Sequence, residues 1–409
     1  MAFSANETAA QSAPERWHKK IWKRYGWAIT LFVLLRLAFM LLAIVNAGVS
    51  PEAGTSGNVF QRYLIQPWNQ WDVEYFLRIA SQGYRAADGT AQFHPLFPML
   101  GRVAGHLTGW LTGGDLLIGL LLVSSVCTIL FLVALEDLAA MDMPAAEARR
   151  AAFYFAHAPT AFILFAPYTE SLFLLCAVLA FRMARRERWW MAGAAGAAAV
   201  LTRQQGLFLL APLAWELVGW ARRSGRPLLS HWRAAFGIGL IPLAYLGWLV
   251  YRALALGDLV VDLKQPRTLI YGLLISRSAT QVVEQQSFMA PWNALWLAFQ
   301  HLNRTTVIDL AASGLFVLLL ALGGRALWRM RASYLVYSAV ILLVSFSLNT
   351  GEPHPYKGLT RHCLLAFPLL LPLAVWGRRP LVNLLTLGIG FVLLLGMTFL
   401  YYNETLWLP

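Results

Sequence analysis

The chain has 409 residues, 58% of them hydrophobic and 13% charged. Soluble domains are roughly 45–50% apolar and about 25% charged, which excludes a soluble enzyme, a disordered scaffold and a nucleic-acid-binding module. The net charge of +13 sits in short basic clusters between apolar runs. That is the charge pattern of a polytopic membrane protein, with the lipid bilayer and no nucleic acid as its partner.

Residues 1–15 are polar and small, so they are expected to be disordered and not to form a cleavable signal peptide. A helical span needs about 20 apolar residues. Such runs occur at 27–46, 115–138, 150–166, 169–186, 189–203, 205–221, 233–256, 304–322, 331–348, 360–376 and 380–400. The expectation is an all-α polytopic membrane protein with about 11 transmembrane helices. It comprises a tail, 1–26, and a single transmembrane domain, 27–409. The stretch 95–111 carries Arg102, His106 and several glycines, and is read as an interfacial or re-entrant helix. Residues 189–221 are read as a hairpin of two short helices. Cys127, Cys176 and Cys363 fall in or beside apolar runs and read as small core residues.

With the N-terminus inside, the inside segments hold 19 Lys and Arg in 67 residues, and the outside segments hold 11 in 145. This bias places the N-terminus in the cytoplasm. It also makes 47–113 one long extracytoplasmic loop carrying amphipathic helices, with 257–304 as a second long loop on the same face. Of the arginines inside spans, Arg182 and Arg252 lie near helix ends and can snorkel to the interface. Arg36 lies about ten residues into the first span, where it either pairs with an internal carboxylate or approaches a ligand phosphate.

Polar chemistry collects on the expected outer face. In the first loop, Tyr75 and Ile79, and Phe76 and Ala80, recur four apart, so an amphipathic helix begins at Asp72. Asp72 is either an N-cap or a reactive carboxylate, and Glu74 either a first-turn acid or a ligand-binding one. His94, between Phe93 and Pro95, is either a hydrogen-bonded turn residue or a functional one. The turn 166–171 carries Glu170, and the turn 201–206 carries Arg203, the single basic residue of an apolar hairpin. Residues 349–362 bring Glu352, His354, Lys357, Arg361 and His362 to the start of a span. Arginine, lysine and histidine at a lipid boundary suit a phosphate, and a neighbouring carboxylate can act as a general base. No GK[ST] loop, HExxH pair, CxxC pair or GxSxG elbow is present. Trp68, Trp71, Trp292 and Trp296 are candidates for stacking on sugar rings.

The pattern Trp71-Asp72-x-Glu74-x-Phe76-x-x-Ile79-Ala80-x-x-Gly83-Tyr84, followed by Phe93-x-Pro95-x-Phe97-Pro98, resembles the first-loop signature of a known family. That family is the second mannosyltransferase of GPI-anchor assembly, within the GT-C superfamily of polyprenyl-phosphate-sugar-dependent glycosyltransferases. Tyr168-Thr169-Glu170-Ser171-Leu172-Phe173, Leu201-Thr202-Arg203 and Arg361 with Phe367-Pro368 recur in the same order. The resemblance spans residues 60–375 and departs from the family at His94, Gln204-Gln205 and His362.

The resemblance implies a GT-C fold and inverting transfer of mannose from a polyprenyl or dolichyl phosphate mannose donor to a glycolipid or glycan acceptor. The active site would be extracytoplasmic, in the cell membrane of a prokaryote or the ER membrane of a eukaryote. Asp72 would be the general base, and Glu74, His94, Tyr168 and Glu170 would bind substrate or orient Asp72. Arg203, His354, Lys357, Arg361 and His362 would meet the phosphate. A lipid phosphate leaves without a general acid, so one carboxylate suffices. No cofactor is implied, and Asp72-x-Glu74 is too weak a pattern to call a metal site. A lipid or glycolipid transporter or flippase is the alternative, but the sequence shows no internal repeat.

Overall fold

The computed structural model describes residues 17–49, 58–86, 88–258, 287–352 and 354–403. Most of the expected second loop, 259–286, and the polar start of the chain lie outside the described residues.

Helix α1, Trp17–Val49, is 33 residues long, about 50 Å at 1.5 Å per residue. It exceeds the roughly 30 Å hydrocarbon layer, and its excess is the basic stretch before Trp27. The first loop contributes α2 (Val73–Gln82), α3 (Leu96–Leu107) and the short α4 (Gly109–Thr112). Then come α5 (Leu116–Ala139), α6 (Ala145–Ala156), α7 (Glu170–Arg185), α8 (Trp189–Thr202), α9 (Leu210–Ser224) and α10 (Trp232–Tyr251). Beyond the second loop lie α11 (Pro291–Gln300), α12 (Arg304–Met330), α13 (Ala332–Ser347), α14 (Leu359–Leu364), α15 (Leu370–Trp376) and α16 (Pro380–Tyr402). One two-residue antiparallel ladder, Ser287–Phe288 on Leu348–Asn349, qualifies the all-α expectation.

Among the described residues, five helical segments are long and apolar enough to cross a bilayer: Ile21–Gly48, Leu116–Ala139, Leu228–Leu256, Arg304–Met330 and Pro380–Tyr402. Three further apolar helices are shorter: Trp189–Thr202, Ala332–Ser347 and Phe367–Trp376. Two of the apolar runs are not continuous helices. The run at 150–166 stops at Ala156, before Pro159, and resumes as a 3-10 turn, Ala161–Leu164. The run at 360–376 breaks into α14, a 3-10 turn at Phe367–Leu369 with Pro368 at its start, and α15. Proline supplies no N–H to the helix ladder. A broken backbone is tolerated at membrane depth when protein surrounds it, and Ile163, Leu164, Phe165 and Phe367 are fully buried.

Helix α5 lies at the centre, packed on α3, α7, α6 and α1. Asp115 caps it by accepting from the Leu117 and Ile118 backbone N–H groups. Two crossings are set by glycine. A Cβ at Gly193 of α8 would lie 1.7 Å from the carbonyl oxygen of Gly237 on α10. A Cβ at Gly119 of α5 would lie 2.4 Å from the Gly101 carbonyl oxygen on α3. Small residues let helix backbones approach this closely. The stretch 95–111 forms α3, seated along α5, followed by the short α4.

The charged ends of the helices sort into two groups. At one end, ion pairs join segments that the sequence places inside. Asp137 meets Arg24 and Arg182, Arg149 meets Glu136, Arg378 meets Glu147, Arg331 meets Glu216, and Arg185 with Tyr334 meets Asp142. The other end holds the loop bearing Asp72. Two arginines depart from expectation. Arg182 is paired with Asp137 at 2.9 Å. Arg252 does not snorkel: it is fully buried and bonded to Asp258 at 3.0 Å, because a buried guanidinium needs a counter-charge. Arg36 lies against aromatic rings, with its guanidinium 5.1 Å from the Trp68 ring and Nη2 donating to Ser125 Oγ at 3.4 Å.

Candidate active site

The first loop reaches the bundle through Trp68, which is buried to 1% exposure between Phe39, Tyr401 and Tyr402. This is a core position, so Trp68 is withdrawn as a sugar-stacking residue. Three residues on, Trp71 takes φ +54, a left-handed conformation that costs an L-residue roughly 1–2 kcal/mol. Two buried tyrosines fasten this turn. The Tyr168 hydroxyl donates to the Gln70 carbonyl at 3.0 Å, and the Tyr401 hydroxyl donates to the Trp68 carbonyl at 3.2 Å.

The turn delivers Asp72 into the bundle. Asp72 precedes α2 with helical backbone angles and makes no side-chain cap, because capping requires an extended residue whose carboxylate folds back on the helix. Its carboxylate instead meets Arg361, where Nη2 donates to Oδ2 at 2.9 Å. The amphipathic helix is as expected, with Val73, Phe76, Ile79 and Ala80 forming its buried face.

Arg361 is the second member of a charged chain. It is buried, stacks on the Tyr168 ring at 5.4 Å, and reaches Glu170 Oε1 with Nε at 3.8 Å. Glu170, fully buried at the start of α7, accepts from Arg203 Nη1 at 2.5 Å, and the same nitrogen reaches Thr169 Oγ1 at 2.7 Å. Arg203 sits where α8 ends in extended backbone, φ −153 and ψ 143, which directs its side chain across to α7. The order Asp72, Arg361, Glu170, Arg203 alternates in charge and sums to zero. Burial raises the affinity of the Asp72 carboxyl for a proton above its ordinary value near 4, with Arg361 pulling the other way.

The remaining sequence candidates divide. His362 lies close enough to Arg203 and Arg361 to feel both charges. His94 is buried, stacked parallel to Tyr245 with centroids 6.2 Å apart, and burial pushes its imidazole down to about 3. It is therefore neutral at pH 7. Glu74 points outward, largely exposed, and pairs with Arg78 at 2.7 Å, so Asp72 and Glu74 do not converge. His354 Nδ1 lies 3.1 Å from both Asn303 Nδ2 and Thr305 Oγ1. The Lys357 backbone N–H donates to Thr350 Oγ1. Both residues thus order the loop before α14. Among the described residues, no group of three or more His, Cys, Asp or Glu is arranged to hold a metal ion.

Sequence reading missed three supporting residues. Asp309 of α12, 1% exposed, accepts from Thr360 Oγ1 at 3.3 Å, directly beside Arg361. A lone acid inside an apolar run was a signal for it. Gly358, at φ +70, turns the chain into α14, and a Cβ there would sit 3.2 Å from Arg361 Nε. Tyr401, at the end of an apolar run, carries no sequence signal.

The helical frame matches ArnT from Cupriavidus metallidurans, solved bound to undecaprenyl phosphate. The TM-score is 0.50 at 14% identity, over 93% of this chain and 76% of that one. The chain is a multi-pass membrane protein of the GT-C fold class. Residues 31–220 match the family model described as Mannosyltransferase (PIG-V). That segment holds Asp72, Tyr168, Glu170 and Arg203, whereas Arg361 lies beyond it.

The chain is similar to GPI alpha-1,6-mannosyltransferase 2 of Rattus norvegicus, 33% identical over 165 residues, which are 38% of this chain and 33% of that protein. The protein of that name from Mus musculus is 32% identical over 173 residues, 40% of this chain and 35% of the relative. The aligned part of the chain spans about a third of the length of these curated relatives.

Proposed function

We propose that this chain is an inverting membrane mannosyltransferase. It would move a mannosyl residue from polyprenyl or dolichyl phosphate mannose to the hydroxyl of a lipid- or glycan-linked acceptor on the extracytoplasmic face. The observation that carries the reading is the buried Asp72–Arg361–Glu170–Arg203 chain at the end of the bundle opposite the basic loops. The family match supplies the sugar class, and the fold is one that in ArnT holds undecaprenyl phosphate.

Arg361 engages Oδ2 of Asp72, and Oδ1 is the oxygen that takes the acceptor's proton. As that O–H bond breaks, the acceptor oxygen attacks the anomeric carbon. The bond from that carbon to the phosphate oxygen breaks on the opposite side, and polyprenyl phosphate departs with the electron pair. The raised proton affinity of Asp72 makes it a stronger base than an exposed carboxylate while leaving it below the hydroxyl it serves. A guanidinium has five N–H donors, so Arg361 can hold Asp72 and a phosphate oxygen together, and Arg203 supplies a second cation for the leaving group. Tyr168 and Tyr401 place the base through the loop backbone.

The test is transfer of radiolabel from a short-chain polyprenyl phosphate mannose to a membrane lipid extract by the purified chain. We expect label in a new glycolipid or glycan. Asp72→Asn, which keeps the shape of the side chain, should reduce the rate about 10²–10⁴-fold at unchanged fold. A folded Asp72→Asn within a few fold of the parent rate removes the base role. Absence of both binding and transfer of this donor by the parent protein removes the donor assignment.

A further inference from the structure

The helix ends opposite Asp72 leave an open cavity of about 730 Å³ between the starts of α8 and α10 and the end of α9. Its walls include the Trp189 and Trp220 rings, 5.4 Å apart, and His231, which lies 4.2 Å from Trp220 and bonds Ser224 Oγ at 2.9 Å. Arg188, Arg226 and Arg233 stand exposed around it, with Glu187 as the one carboxylate beside them.

Two observations bear on what this cavity can hold. The acids elsewhere on this end, Glu136, Asp137, Asp142, Glu147 and Glu216, are each matched to an arginine. Arg188, Arg226 and Arg233 form no ion pair with a described carboxylate, and neither do the neighbouring Arg186, Arg222 and Arg223, so the cavity sits in a strongly positive surround. In addition, the indole N–H of Trp189, a residue only 5% exposed, has no hydrogen-bond partner among the described residues. A buried donor left unpaired costs about 1–3 kcal/mol, and a ligand acceptor would recover it.

We infer that this cavity binds the phosphate head group of an anionic phospholipid. Trp190 and Trp232 stand exposed beside the cavity, and Arg233 lies 5.3 Å over the Trp232 ring. Exposed tryptophan next to arginine marks the level of the lipid head groups, so a bilayer lipid can enter sideways with its phosphate among the arginines. Basic pockets between transmembrane helices are a recurrent form of lipid head-group recognition. Helix α8, 14 residues long, separates this cavity from Arg203 by roughly 20 Å, so the lipid held here is distinct from the donor proposed above.

The experiment is native mass spectrometry of the full chain in neutral detergent, titrated with phosphatidylglycerol or phosphatidylcholine, with and without inorganic phosphate. We expect one retained phosphatidylglycerol per chain and no comparable retention of phosphatidylcholine. The double variant Arg226→Gln/Arg233→Gln should weaken retention about thirtyfold, the scale of two arginines at a lipid surface. Trp189→Phe, which keeps a ring in the wall and removes the N–H, should weaken it several-fold. Equal retention of phosphatidylcholine, or undiminished retention by the double variant, overturns the site. Loss of the bound lipid to millimolar inorganic phosphate overturns the lipid assignment in favour of a soluble phosphate ligand.

Discussion

Asp72 is held from two sides. Its carboxylate is fixed by Arg361, and the backbone ahead of it by the hydroxyls of Tyr168 and Tyr401. If it is the base, it must be deprotonated to work, so kcat/KM is full above its pKa and falls as pH drops through it. Burial puts that acid limb above the ordinary carboxylate value near 4. A pH–rate profile with its limb at or below about 4 would mean that Arg361, rather than burial, governs the group. Arg361→Lys keeps the positive charge but loses the planar fork that spans Asp72 and Glu170. We expect kcat to fall about tenfold or more, because lysine does not replace arginine at a two-partner site.

Residue chemistry was readable in the sequence where charged residues stood in recognisable motifs, and not where an acid such as Asp309 stood alone in an apolar run. Asp72, Glu170, Arg203 and Arg361 were legible and converge. Glu74 was equally visible and turns away, because two positions along a helix is a rotation of about 200° at 3.6 residues per turn. Tyr401 was not legible, since nothing in an apolar run announces which hydroxyl meets a distant carbonyl.

At the scale of elements, the site depends on helices that cross closely and then stop. Helix α8 is pinned to α10 by the Gly193–Gly237 contact and ends where Arg203 turns toward α7. Gly193→Ala places a Cβ 1.7 Å from a backbone oxygen that cannot swing aside. Overpacking of this kind costs 1–3 kcal/mol or more. Melting followed in detergent should show a clear loss for Gly193→Ala and none of that size for Gly239→Ala, where open space surrounds the added carbon. Equal melting of the two variants would contradict the close crossing. The existence of the long apolar helices could be read from hydropathy alone. Their interruptions at 157–160 and 365–366 could not, because hydropathy is blind to a proline's missing donor.

At the scale of the molecule, the charged groups divide between the two ends of the bundle, and this division predicts topology. The native cysteines Cys127, Cys176 and Cys363 are all buried, so the parent chain offers no accessible thiol among its own residues. Trp110, 86% exposed, lies in the Asp72-bearing segment, and Leu229, 87% exposed, lies among the arginine loops. In intact cells, an impermeant maleimide should label Trp110→Cys at once and Leu229→Cys only after permeabilisation. The reverse order would invert the sidedness read from the Lys and Arg counts, and would put the Asp72 cluster in the cytoplasm.

The Tyr401 clamp ties the support of the Asp72 turn to the order in which the chain is made. A ribosome that has released residues up to Trp376 has already delivered every charged member of the site, yet the hydroxyl that steadies the Trp68 turn is still unsynthesised. Asp72 then waits, for the whole of translation, on a group more than three hundred residues downstream. Insertion of α16 is therefore the step that, under the proposed mechanism, completes the support of the Asp72 turn. An early-terminated chain would contain the charged machinery without being able to hold it still.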